Sequence, residues 1–200
     1  MLAVNREQKQ PSEQEITQMF QELEVFYLPS EAPEINQLLE SFKEIYLNGD
    51  AEFARFQLSN HPVLDWFGSR HRLNDIHFFE RFLTMKAVKE ALPSLEIQFP
   101  LWSSLNLQED TSAFTFDGEL AQMLFQGGAY TKFLGTAQQA KALGINLCQT
   151  LFNERYDEII LSVSYEPWSK WFGGVTWDRS WFGVDKRNNQ VWLLCVTDTD

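Results

Sequence analysis

The chain has 200 residues, 44% of them hydrophobic and 22% charged, the composition of an ordinary globular protein long enough to bury a core without a metal or a disulfide. Its net charge of −12, with ten acidic against three basic side chains in residues 1–50, argues against nucleic acid or an anionic membrane as partner, since both reward a basic surface. No signal peptide is read at the start, and no apolar run approaches the roughly 18 residues that span a bilayer, so the expected location is the cytoplasm.

Residues 1–11 are expected to form a flexible arm, and residues 12–200 one α+β domain. Ser12 and Glu15 make an S-x-x-E capping box, after which Ile16, Met19, Phe20, Leu23 and Tyr27 predict a helix ending just before Pro29. Ile35, Leu38, Leu39, Phe42, Ile45 and Tyr46 form the stripe of a second helix closed by Asn48-Gly49, and the short Pro-containing link predicts an antiparallel helical hairpin. The run AEFARFQL after Asp50 suggests another short helix, and NHPVLDWFGSRHRLND a loop or short strand with a turn at Gly68. Asn74 is expected to cap a helix that turns Ile76, Phe79, Phe82, Leu83 and Val88 inward and stops near Pro93. Short extended segments are expected around Leu95 to Phe99 and Ser112 to Phe116, with a loop between them.

In the second half, Asp117 is expected to cap a helix that stops at Gly127-Gly128. Thr136 caps the next, whose inward face carries Ala140, Leu143, Leu147 and Leu151 with Cys148 beside them. The period then changes to two: YDEIILSVSYEP, FGGVTWDRSWFGVD and QVWLLCVTD predict three strands, the last two joined by KRNN as a hairpin. Helices first and an antiparallel sheet last define the α+β class. Cys148 and Cys195 lie in apolar runs and are expected as reduced core residues.

Five of the seven tryptophans fall in the 25 residues from Trp168 to Trp192, where the chain concentrates its contacts. Alternation would put Val175, Trp177 and Trp181 on one sheet face and Thr176, Asp178, Phe182 and Val184 on the other, so that both faces are covered. Trp168 and Trp171, beside Pro167, are the expected exposed aromatic pair, and Trp168, Trp171, Trp177, Trp181 and Asp178 are the candidate ligand or partner residues. Glu166 with Asp178 is the carboxylate pair to weigh for glycoside hydrolysis. Asp185 fits a hairpin turn, whereas Asp198 and Asp200 lie at a chain end where carboxylates are usually solvated. His61, His71 and His77 share a 17-residue stretch but have no zinc spacing, and neither glycine pair fits a phosphate loop, so no metal or cofactor is predicted.

The stretch from Gly127-Gly128-Ala129-Tyr130 through the Thr136 helix to Trp168-Ser169-Lys170-Trp171-Phe172, Thr176-Trp177-Asp178 and Thr197-Asp198-Thr199-Asp200 resembles small bacterial proteins of uncharacterised function. Some of these, similar in size and acidity, act as immunity partners of secreted toxins. The resemblance covers residues 127–200 only and implies a bacterial cytoplasmic α+β protein, with no catalytic or ligand residue to carry over. The leading expectation is a non-enzymatic module that binds a basic protein in an immunity-like or regulatory role, with self-association as a further way to bury aromatic surface. The alternatives are a small-ligand module that stacks a sugar or nucleotide on tryptophan, and a carboxylate-dependent hydrolase.

Overall fold

The computed structural model describes residues 7–108 and 111–200. Ser12 opens α1 (Glu13–Glu22) as a true capping box: its hydroxyl accepts from the Glu15 amide at 3.3 Å, and the Glu15 carboxylate accepts from the Ser12 amide at 2.8 Å. The helix stops earlier than its stripe predicts. Val25–Leu28 form β1, because Val, Phe and Tyr fit a pleated surface and find a partner in β2 (Asp50–Leu58), where Tyr27 lies opposite Phe56. The expected helical hairpin therefore does not form: α1 packs with α3, whereas α2 (Pro33–Ile45) packs with α7.

The segment read as a helix after Asp50 is β2. Ala54, Phe56 and Leu58 point into one core and Ala51 and Phe53 into the other, a period of two with both faces covered. The helix-forming Ala, Glu and Arg of this run are overridden by pairing on both sides. Residues 60–75, read as loop or strand, contain α3 (Pro62–Gly68), capped by the His61 ring, whose Nδ1 accepts from the Val63 amide at 3.2 Å. The single helix expected from Asn74 is a 3₁₀ turn followed by α4 (Phe78–Thr84) and α5 (Lys86–Ala91), separated at Met85, whose ψ of 140° is extended. The segments around Leu95 to Phe99 and Ser112 to Phe116 are not strands among the described residues. The nearest ladder element is a single antiparallel bridge between Gln108 and Val163.

Thr115, not Asp117, precedes α6 (Phe116–Gln126); Asp117 sits in its first turn, where a carboxylate suits the positive end of the helix. Thr136 caps α7 (Ala137–Phe152) as expected, with Gln139 completing the box. Strands β3 (Ile159–Ser164), β4 (Arg179–Asp185) and β5 (Gln190–Thr197) follow, and the sheet is antiparallel throughout in the order β1-β2-β5-β4-β3. The β4–β5 turn is set by Asp185, which accepts from the Arg187 and Asn188 amides, both at 3.1 Å, and from Arg155 Nη1 at 2.7 Å.

Helices cover both faces of the sheet. One core holds Met19, Phe67, Phe78, Phe82, Trp168, Phe182 and Val184 under α1, α3, α4 and α5. The other holds Phe42, Phe116, Leu147, Phe152, Trp181 and Trp192 under α2, α6 and α7. The chain is thus α+β, with its sheet strands mostly in the C-terminal half. Both cysteines are buried and unpaired. Of the expected arm, residues 1–6 lie outside the described residues, while the Gln8 carbonyl accepts from the Trp66 indole at 3.3 Å. Among the described residues no helix is long and apolar enough to cross a membrane.

Candidate functional site

The tryptophan segment does not form the exposed aromatic groove expected of it. Trp168 is 0% exposed, and its indole N–H donates to Ser180 Oγ at 2.8 Å, so β4 satisfies inside the core the donor that buried Trp must place. Trp171 is half-buried against Phe172, with ring centroids 5.0 Å apart. Trp177 is half-buried against the opposite core, and Trp181 is buried there. Regular pairing begins only at Arg179, so strand alternation does not govern residues 175–178; it does hold for Trp181 against Phe182 and Val184.

Asp178 explains why pairing starts late. It is 0% exposed, accepts from the Gly174 amide at 2.7 Å and the Val175 amide at 3.1 Å, and takes a third bond from Thr197 Oγ1 at 2.6 Å. Gly174 has φ of +73°, the left-handed conformation that this turn requires and that glycine adopts without strain. With three protein donors and no route to water, the Asp178 carboxylate is a structural clip. Glu166 accepts instead from Asn106 Nδ2 at 3.3 Å, so the pair weighed for hydrolysis makes no acid and base flanking a cleft. Asp198, expected to be solvated, is also fully buried: it accepts from the Asn48 amide at 3.1 Å and the Ala129 amide at 2.8 Å.

The histidines disperse. His61 caps α3 and faces Glu22 at 3.4 Å, His77 faces Glu80 at 3.6 Å, and His71 Nε2 lies 3.3 Å from the Lys186 amine. Among the described residues no three His, Cys, Asp or Glu side chains converge as metal ligands.

Two of the cavities among the described residues bring charged and aromatic groups together next to the sheet. The first, of 260 Å³, runs along the outer edge of β3 and is lined by Ile159, Leu161, Phe114, Tyr156, Asp157 and His71, among others. Val163 donates to and accepts from Gln108, at 3.0 and 2.8 Å, which fixes the outward-facing members of β3 as every second residue. Leu161 is therefore outward-facing, and among the described residues nothing pairs with its backbone groups. Phe114, 69% exposed, stacks on Tyr156 with centroids 5.6 Å apart and forms the rim. Lys186, from the β4–β5 turn, places its amine 3.3 Å from His71 Nε2 and 3.4 Å from the Asp157 carbonyl, and burial pushes its ammonium below the ordinary lysine value.

The second cavity, of 190 Å³, lies between α6 and the start of β4. Glu119, Gln122 and Gln126 line it from one helix face, opposite Tyr165, Arg179 and Trp181. Glu119 Oε1 accepts from Thr111 Oγ1 at 2.6 Å and Thr115 Oγ1 at 3.2 Å, and Oε2 from the Trp181 indole at 3.4 Å. Arg179 Nη1 donates to the Thr176 and Asp178 carbonyls at 2.7 and 2.8 Å, and its guanidinium lies 4.3 Å from the Tyr165 ring centroid.

Of the five residues singled out from the sequence, only Trp181 lines either cavity. The spacing of Glu119, Gln122 and Gln126 on one helix face was readable, but nothing local pairs that face with Arg179. The molecule is an antiparallel sheet between two helical layers, with one cavity at the edge of the sheet and one beneath a helix. No family model and no curated protein matches the chain.

Proposed function

We propose that this chain is a non-enzymatic module that binds another protein through the outer edge of β3. The observation that carries this reading is the outward backbone of Leu161, which pairs with nothing among the described residues, inside a cavity rimmed by the exposed Phe114. An extended segment laid there gains main-chain hydrogen bonds from the strand and apolar contact from the Phe114–Tyr156 stack, the way strand addition combines affinity with specificity. Net charge favours a basic partner, whose encounter an acidic surface of −12 accelerates. The expected partner role is immunity-like or regulatory, and the expected setting is the bacterial cytoplasm.

The test uses the whole protein as bait in extract of its source cell at low salt, beside a Phe114→Glu variant. Phe114 is exposed, so the variant keeps the fold while placing a charge on the rim. The expected result is a partner retained by the parent protein, released by salt, and lost with Phe114→Glu. Equal retention by both baits, or none by either, overturns the reading.

A further inference from the structure

The cavity under α6 holds a cation and an anion that are each fixed by other groups and are not paired with one another. Glu119 is held by two threonine hydroxyls and an indole N–H. Arg179 is held by two backbone carbonyls through Nη1 and lies against the Tyr165 ring. Among the described residues neither makes an ion pair, although the protein carries 28 acidic side chains that could have neutralised the arginine. A guanidinium anchored through Nη1 keeps Nε and Nη2 as a planar fork, the geometry that receives a carboxylate in two parallel hydrogen bonds. The Glu119 carboxylate, fixed and partly shielded, is the complementary receptor for an ammonium group. Gln122 and Gln126 add neutral donors and acceptors along the same wall. At 190 Å³ the space is below the about 300 Å³ where sites for drug-sized ligands begin, so the occupant is a molecule of few heavy atoms.

From this arrangement we infer that the α6 cavity binds a small zwitterion of the free amino acid type, its carboxylate on Arg179 and its ammonium on Glu119. This site is separate from the β3 edge and stands whether or not a protein docks there. Both protein charges are positioned before the ligand arrives, so binding costs little reorganisation. A ligand carrying one charge alone leaves the other protein charge without its partner, and that sets the selectivity.

The Trp181 indole N–H, bonded to Glu119, is the natural reporter. Its proton–nitrogen correlation is followed while glycine, alanine, serine, glutamine and γ-aminobutyrate are added in turn to the parent protein. A saturable shift with at least one zwitterion is expected, and none with the N-acetyl amide of the same amino acid. Glu119→Gln keeps one carbonyl oxygen as acceptor for Thr111 and Thr115, gives up the acceptor for the Trp181 indole and removes the charge, and it should weaken binding about tenfold or more. Arg179→Lys, which keeps the charge but not the fork, should weaken it by a similar factor. No shift with any zwitterion, or an equal shift with the N-acetyl amides, overturns the assignment. That comparison is made on the parent protein and does not depend on how any variant folds.

Discussion

Gly183 leaves no room for a side chain: a Cβ there would fall inside the Trp192 indole, which lies across the strand in the space the glycine leaves. Gly183→Ala should therefore destabilise the fold by about 3 kcal/mol, measured by urea unfolding, and Trp192→Phe in the same background should recover part of the loss. A second residue-scale effect follows from Cys148. Burial pushes its thiol from the ordinary 9.0 up to about 12. Between those values the unfolded chain releases the proton and the folded chain keeps it. The unfolded state then binds fewer protons, and stability falls as pH rises, by up to about 1.4 kcal/mol per pH unit from this group. Urea midpoints should decline through the alkaline range with the chain Cys148→Ala less affected, and neither thiol should react with a disulfide reagent until the protein unfolds. Which carboxylates are structural was the least legible feature at this scale. Asp198 looks like a solvated acid in sequence because the amides that hold it come from Asn48 and Ala129, far away along the chain.

Elements with one strong period and a local cap were readable, and those whose form depends on a distant partner were not. Helix α7 carries its whole signal in Thr136, Gln139 and the stripe from Ala140 to Leu151, and its start falls where the capping box puts it. Thr136→Ala should cost about 1 kcal/mol, seen as a lower midpoint with unchanged helical content in the native state. By contrast β1 and β2 make strands only because they pair with one another and β2 with β5. Tyr27 completed a helical stripe in sequence, yet its ring sits 5.8 Å from Phe56 across the ladder. The break at Met85 carries no glycine or proline to announce it, so two short helices read as one. The candidate cavities were illegible for a related reason: each is assembled from segments tens of residues apart, and a single element, β3 in one and α6 in the other, supplies only one wall.

Across the whole molecule, the C-terminal strand is the member that joins the rest. Asp198, just past β5, holds the turn after α2 through Asn48 and the α6–α7 loop through Ala129. A side chain at Gly128 would collide with the Ile45 carbonyl and the Asp198 carboxylate, so three separate parts of the chain meet without slack. Asp198→Ala should leave two part-buried amides without their acceptor and cost about 1 kcal/mol or more, with hydrogen exchange quickened at Asn48 and Ala129 before it quickens elsewhere. The class of fold was legible because the three C-terminal strands follow most of the helices, while the second helical layer was not, since α1 and α2 look alike and end on opposite faces. That division has a spectroscopic use. Trp168 belongs to one core, and Trp181 and Trp192 to the other, so intrinsic fluorescence carries a separate signal from each side of a single sheet. A protein retaining Trp168 as its sole indole and another retaining Trp181 form a matched pair of internal thermometers, and coincident melting curves would establish that the two layers unfold as one cooperative unit.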